Sequence, residues 1–140
     1  MNVQAKWLGG RAFTAVGPSG FDMSMDATAA YGGEGNGNTP TEMLLGALAG
    51  CIGIDITMIL NPHLDQIKSI DIEVKGTRRE ELPTAFTAIE IVFTIEGEIT
   101  PKKVWRAIRL GKDKYCAVSA SLKADVHFSL MLNGVQVEEV

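Results

Sequence analysis

The sequence predicts an α+β fold in which a largely antiparallel sheet packs on a buried central helix, and three observations carry that prediction. One long apolar run, Thr39 to Leu60 (TPTEMLLGALAGCIGIDITMIL), opens on helix-start signals. Two later segments alternate with period two: Ile70, Ile72 and Val74 against Asp71, Glu73 and Lys75, and then Ile89, Ile91, Phe93 and Ile95. Strands come first, followed by the helix, two strands, further helices and a last strand, an order that belongs to α+β rather than to regular βα alternation.

In chain order, residues 3–7, 11–16 and 20–25 read as a three-stranded meander broken at Gly9-Gly10 and at Gly17-Pro18-Ser19-Gly20. In the third strand Phe21, Met23 and Met25 are expected to face the core and Asp22, Ser24 and Asp26 to face water. Residues 27–38 (ATAAYGGEGNGN) are too rich in glycine and asparagine for regular structure and are a candidate lid or rim. The central helix follows. Thr39 is its N-cap, Pro40 suits the first helical position and Glu42 completes a capping box. Apolar side chains from Met43 to Leu60 leave no wide polar stripe, so the helix is expected to be buried on most sides, with Gly46, Gly50 and Gly53 admitting another backbone, such as an equivalent helix of a second subunit. The run has about the length of a bilayer span. Asp55 inside it and the strand-rich remainder favour a core helix instead.

Asn61-Pro62 stops the helix, and the two alternating segments form antiparallel neighbours joined through TRREELPTA. Thr100-Pro101 starts a second helix with an apolar stripe of Val104, Trp105 and Ile108, closed by Gly111. Asp113 to Leu122 is a short helical segment holding Cys116. Ala124, Val126, Phe128, Leu130 and Leu132 form a final strand that ends at the hairpin signal Asn133-Gly134. Trp7 and Trp105 are expected in the core.

The 140 residues, 46% of them hydrophobic, suffice for one domain over residues 1–140 with a substantial core. A net charge of −4 with scattered lysines and arginines leaves no footprint for nucleic acid or an anionic membrane. MNVQAKWLGG has neither the apolar stretch nor the cleavage site of a signal peptide, so the expected compartment is the cytoplasm. There a pair of cysteines is more often catalytic or redox-sensing than structural.

Cys51 and Cys116 are the only thiols and lie 65 positions apart. As bare residues they fit two small buried hydrophobes as well as a reactive pair. Two histidines complete a possible set of four metal ligands, but His63 follows a helix and His127 sits in a strand, with no close Cys or His pairing, so neither metal nor cofactor is expected. Asp55, one turn beyond Cys51, would raise the thiol pKa unless a cation intervenes. Glu42 stands about 180° around the helix from Cys51 and suits capping better than catalysis. Arg11, after Gly9-Gly10, reads alone as a surface charge. No phosphate-binding loop, dinucleotide fingerprint, H-E-x-x-H or serine elbow occurs.

Taken together, TPTEMLLGALAGCIGIDI and KYCAVSASL resemble the OsmC/Ohr family of thiol-dependent hydroperoxide reductases, and the resemblance covers nearly the whole chain. Pro40, Cys51, Cys116, Val118 and Ser119 match the family's marks: a proline at the helix start, a cysteine within a small-residue run, and a second cysteine in a C-x-V-S context. The resemblance implies an intertwined α+β homodimer with two active sites at the subunit interface. It also implies a reaction in which the Cys51 thiolate, helped by an arginine on the meander for which Arg11 is the candidate, attacks an organic hydroperoxide. Cys51 sulfenic acid then condenses with Cys116 into a disulfide, and an external dithiol restores both thiols. Met43, Leu44, Leu48 and Ile52 are candidates to bury the hydrocarbon part of the peroxide. The best-studied members carry a glutamate directly after the proline to orient the arginine. Here that position is Thr41 and the glutamate is Glu42, about 100° further round, a pattern resembling a less characterised branch. The alternative is a non-enzymatic dimeric module that binds a small apolar ligand in the interface cleft, with both cysteines as inert packing.

Overall fold

A computed structural model describes residues 1–140, and they form two compact units, 1–44 and 45–140. In the first, β1 (Gln4–Gly9), β2 (Ala12–Val16) and β3 (Asp22–Met25) make an antiparallel meander in that order. Ala12 and Ala15 fill its buried face. Within the third strand the expected alternation holds, with Met23 and Met25 half-buried and Asp22 and Ser24 exposed, but the two residues that flank it depart from it. Phe21 is exposed, whereas Asp26 is only 3% exposed, because its carboxylate accepts the backbone N–H groups of Ala27, Glu34 and Asn36. Three hydrogen bonds offset the burial of one charge. Trp7 is likewise outside the core at 62% exposure, its indole N–H donating to the Gly10 carbonyl across the hairpin. Residues 27–38 are irregular as expected, apart from a 3₁₀ turn at Ala29–Tyr31. Gly37 is required in this loop, since a Cβ would stand 2.5 Å from the Ser24 carbonyl carbon.

Helix α1 (Pro40–Ile59) begins where the capping signals place it: the Glu42 N–H donates to Thr39 Oγ1 at 3.4 Å, and that hydroxyl donates to the Glu42 carboxylate at 3.0 Å. Its burial differs from expectation. Only Leu48, Ile52 and Ile56, one stripe at i, i+4 and i+8, are buried, while Ile54 and Met58 are 61% and 71% exposed. Gly46 and Gly50 face open space. One chain covers one side of a helix that is apolar all round. It is the one helix long and apolar enough to cross a membrane, but its buried stripe belongs to the core.

In the second unit β4 (Ile67–Arg78), β5 (Phe86–Gly97), β6 (Asp125–Leu132) and β7 (Val135–Val137) form a sheet in that order. Ile89, Ile91, Phe93 and Ile95 of β5 are buried with Leu130 and Leu132 of β6 and the α1 stripe. The β4–β5 and β6–β7 pairs are antiparallel, the latter closing at Asn133-Gly134 as its sequence predicts. The β5–β6 pair is parallel and therefore needs a long crossover. Helix α2 (Pro101–Leu110) supplies it, capped by Thr100 and burying Val104, Trp105, Ala107 and Ile108. Trp105 is in the core as expected, its indole N–H donating to the Val137 carbonyl at 3.2 Å. Gly111 does not close α2. Its backbone stays right-handed helical at φ −58°, and the chain continues through a π-turn, Gly111–Tyr115, before the four-residue α3 (Ala117–Ala120).

Candidate functional site

Two residues of the site come from one face of α1. Cys51 and Asp55 stand four positions apart on a regular helix, so their side chains project side by side. The third comes from the far end of the crossover. A Cβ on Gly111 would lie 2.8 Å from Ile52 Cδ1 and 3.7 Å from Asp55 Cβ, so glycine lets the end of α2 ride closely over α1 without displacing the Ile52 methyl. From there the π-turn closes with the Cys116 N–H donating to the Gly111 carbonyl at 2.8 Å, five residues back. Cys116 is thus not inside a helix. It is the extended N-cap of α3, and its sulfur accepts the Ser119 N–H at 3.4 Å.

Cys51 Sγ, Cys116 Sγ and an Asp55 carboxylate oxygen all lie within 4.8 Å of one another. Both thiols are free, Cys51 half-buried and Cys116 only 2% exposed. A disulfide bond is about 2.05 Å long, so the sulfurs have less than about 3 Å to close. Burial pushes the Cys116 thiol above its ordinary pKa. The Ser119 N–H pulls it down, and Cys51 and Asp55 push it up further. Asp55 is in an unusual position for a carboxylate: Oδ2 is buried and has no hydrogen-bond partner. Its proximity to Cys51 is legible from the four-residue spacing; its proximity to Cys116 is not. Neither histidine belongs to this cluster.

A cavity of about 270 Å³ adjoins Asp55 and is lined also by Met58, Ile59 and Tyr115. Of the apolar residues expected around a substrate, Leu48 and Ile52 instead point into the core and are fully buried. The sequence pattern cannot separate a core stripe from a pocket wall on one helix. Met58 on the exposed side of α1 and Tyr115 at the end of the π-turn line this cavity instead.

Arg11 and Glu42 belong to the first unit. Arg11 is exposed and lies along Gly32, in a cleft of about 330 Å³ with Phe13, Met25 and Pro40. Glu42 is engaged with Thr39, and no ion pair joins it to Arg11.

The family described as OsmC-like protein has a sequence model that matches residues 33–131. Protein YhfA of Escherichia coli (strain K12) is 32% identical over 131 residues, covering 92% of this chain and 94% of that protein. The crystal structure of a hypothetical protein from Aquifex aeolicus VF5 is similar with a TM-score of 0.82 and 26% identity, covering 94% of this chain and 95% of that one. The organic hydroperoxide resistance protein OhrB of Bacillus subtilis has the same fold, with a TM-score of 0.58 and 20% identity over 94% of this chain and 96% of its own. The family match takes in both cysteines, Asp55 and most of the core of the second unit, and the identity to YhfA extends over nearly the full length of both chains. The chain belongs to the OsmC-like protein family.

Proposed function

We propose that this protein is a two-cysteine peroxidase that reduces organic hydroperoxides. The observation that supports this reading is the meeting of the chain's only two thiols, 65 positions apart in sequence, within 4.8 Å. Cys51, the more open of the two, is the attacking thiol. Its thiolate takes the terminal peroxide oxygen, the O–O bond breaks, the alcohol leaves, and Cys51 becomes a sulfenic acid. Cys116, held protonated by burial, is the resolving thiol. Its sulfur bonds to Cys51, the sulfenic hydroxyl departs with the Cys116 proton as water, and an external dithiol then reduces the disulfide by exchange. Arg11 is the cation of this reading, supported by a guanidinium with no carboxylate partner in its own unit. Glu42 serves the helix cap, and the cavity beside Met58, Ile59 and Tyr115 suits the hydrocarbon part of the substrate.

The working form in this reading is a homodimer in the cytoplasm, acting as a single domain. The uncovered face of α1, with Gly46 and Gly50 open and Ile54 and Met58 exposed, supports a second copy as its cover. Stopped-flow mixing of the reduced protein with cumene hydroperoxide tests the activity. We expect both thiols to be lost per equivalent of peroxide, and an unchanged thiol titre overturns the reading. The apolar cavity is the one observation that favours the alternative, a binding module with inert cysteines, which predicts slow alkylation of both thiols in the folded protein.

A further inference from the structure

We propose that the reduced protein binds a thiophilic divalent cation of the Zn²⁺ class through Cys51 Sγ, an Asp55 carboxylate oxygen and Cys116 Sγ. This stands independently of the peroxidase reading. Three donor atoms within 4.8 Å of one another nearly enclose an ion. A tetrahedral Zn²⁺ with metal–sulfur and metal–oxygen distances of about 2.3 and 2.0 Å sets its donors about 3.5 to 3.8 Å apart. Closing the triangle by roughly 1 Å is within reach of small side-chain rotations.

The second observation is Asp55 Oδ2, buried without a hydrogen-bond partner. A buried carboxylate oxygen with no donor costs stability, and what its surroundings offer is two sulfurs, neither of which donates to it as a hydrogen bond. A cation shared with those sulfurs satisfies all three groups at once. The scaffold fits the task. Cys51 and Asp55 are fixed on adjacent turns of a 20-residue helix, and Cys116 is fixed by the π-turn and by its bond from Ser119. Two thiolates and one carboxylate select a borderline-soft ion over Mg²⁺ or Ca²⁺, which take oxygen donors. Three protein ligands leave a fourth position open. The local sequence gives no hint of such a centre because its third donor is neither histidine nor part of a close cysteine pair.

The test is a titration of the reduced, metal-free, full-length protein with Cd²⁺ under anaerobic conditions and without peroxide, followed by thiolate-to-metal charge transfer in the near ultraviolet. We expect one Cd²⁺ per chain at saturation, displacement by Zn²⁺ and none by Mg²⁺. Asp55→Asn, near-isosteric and checked for fold by circular dichroism, is expected to weaken Cd²⁺ binding by about tenfold or more. Cys51→Ser and Cys116→Ser are each expected to lose most of the charge-transfer band. Absence of saturable binding overturns the proposal, and so does unchanged affinity in Asp55→Asn, which would mean a bare dithiol. Because no peroxide is present, neither result bears on the peroxidase reading.

Discussion

The backbone of Gly111 passes so close to α1 that a Cβ there would meet Ile52 Cδ1 at 2.8 Å. Ile52 is fully buried, so its terminal methyl can shift only against other core side chains. With φ at −58°, alanine suits the backbone and recovers up to about 1 kcal/mol of helix propensity. Overpacking a filled core costs about 1–3 kcal/mol, so the clash outweighs the gain. Gly111→Ala is therefore expected to lower stability in urea by about 1 kcal/mol and to slow formation of the Cys51–Cys116 disulfide by diamide. Unchanged stability together with unchanged closure would show that the π-turn does not depend on this contact.

The two cysteines are expected to fail differently with peroxide. Cys51→Ser removes the attacking sulfur and all turnover. Cys116→Ser leaves the first step intact but strands the sulfenic acid, which climbs to sulfinic acid under excess cumene hydroperoxide. Intact-protein mass spectrometry after one and after many equivalents separates these outcomes. Turnover retained in Cys51→Ser would reverse the assignment of roles.

Because burial, Cys51 and Asp55 all hold the Cys116 thiol above its ordinary pKa, its thiolate forms late. In a Cys51→Ser background, alkylation by iodoacetamide is expected to rise with a midpoint above the free-thiol value of about 8.5, and Asp55→Asn moves that midpoint down by removing a negative charge. The stability consequence has a definite sign. Above about pH 8.5 the unfolded chain releases this proton before the folded one does. The contribution is therefore complete below that pH and is lost as pH rises toward the folded value. Denaturant melts between neutral and alkaline pH, compared with Cys116→Ala, isolate it.

Much of this architecture was readable from the chain. The alternation in Ile70–Lys75 and Ile89–Ile95, the Thr39–Glu42 cap and the Asn133-Gly134 turn are local patterns with local causes, and each stands where its pattern puts it. The parallel pairing of β5 with β6 is set by a crossover, and nothing local marks it. The same holds for the site. The spacing of Cys51 and Asp55 is helical arithmetic, but Cys116 reaches them through the missing side chain of Gly111, which in sequence looks like an ordinary helix stop. Asp26, just past the end of β3, is buried where the alternation points it to water, because a loop eight to ten residues on supplies hydrogen bonds to its carboxylate.

The burial of Asp26 carries its own consequence. The backbone N–H groups of Glu34, Asn36 and Ala27 hold the Asp26 carboxyl below its ordinary pKa, Glu34 contributing most. A lowered folded pKa stabilises the loop above the unfolded value of about 3.9 and loses that contribution as pH falls through the folded value. Hydrogen exchange of the Glu34 and Asn36 amides is expected to show protection reduced on the order of tenfold in Asp26→Ala at neutral pH, with the wild type converging on the variant in acid. Equal protection in both proteins at neutral pH would mean that the loop is held by other contacts.

The open side of α1 gives the sharpest contrast between a lone chain and a pair. In a single chain Gly46 and Gly50 have nothing within 4 Å of an added Cβ. If water is their neighbour in solution, Gly50→Ala raises stability by about 0.5–1 kcal/mol, because alanine restricts the unfolded chain and favours the helix. If a second copy lies against this face, the methyl groups enter a packed interface and overpacking dominates, as at Gly111. We expect the second result: Gly50→Ala less stable than the wild type, with a concentration-dependent melting temperature in both. Gly50→Trp is expected to shift the mass in light scattering from dimer to monomer while the far-ultraviolet helix signal remains. A Gly50→Trp protein that keeps the wild-type mass, or a stabilised Gly50→Ala, would place the partner surface elsewhere, because a bulky indole cannot be accommodated where two helix backbones meet across glycine.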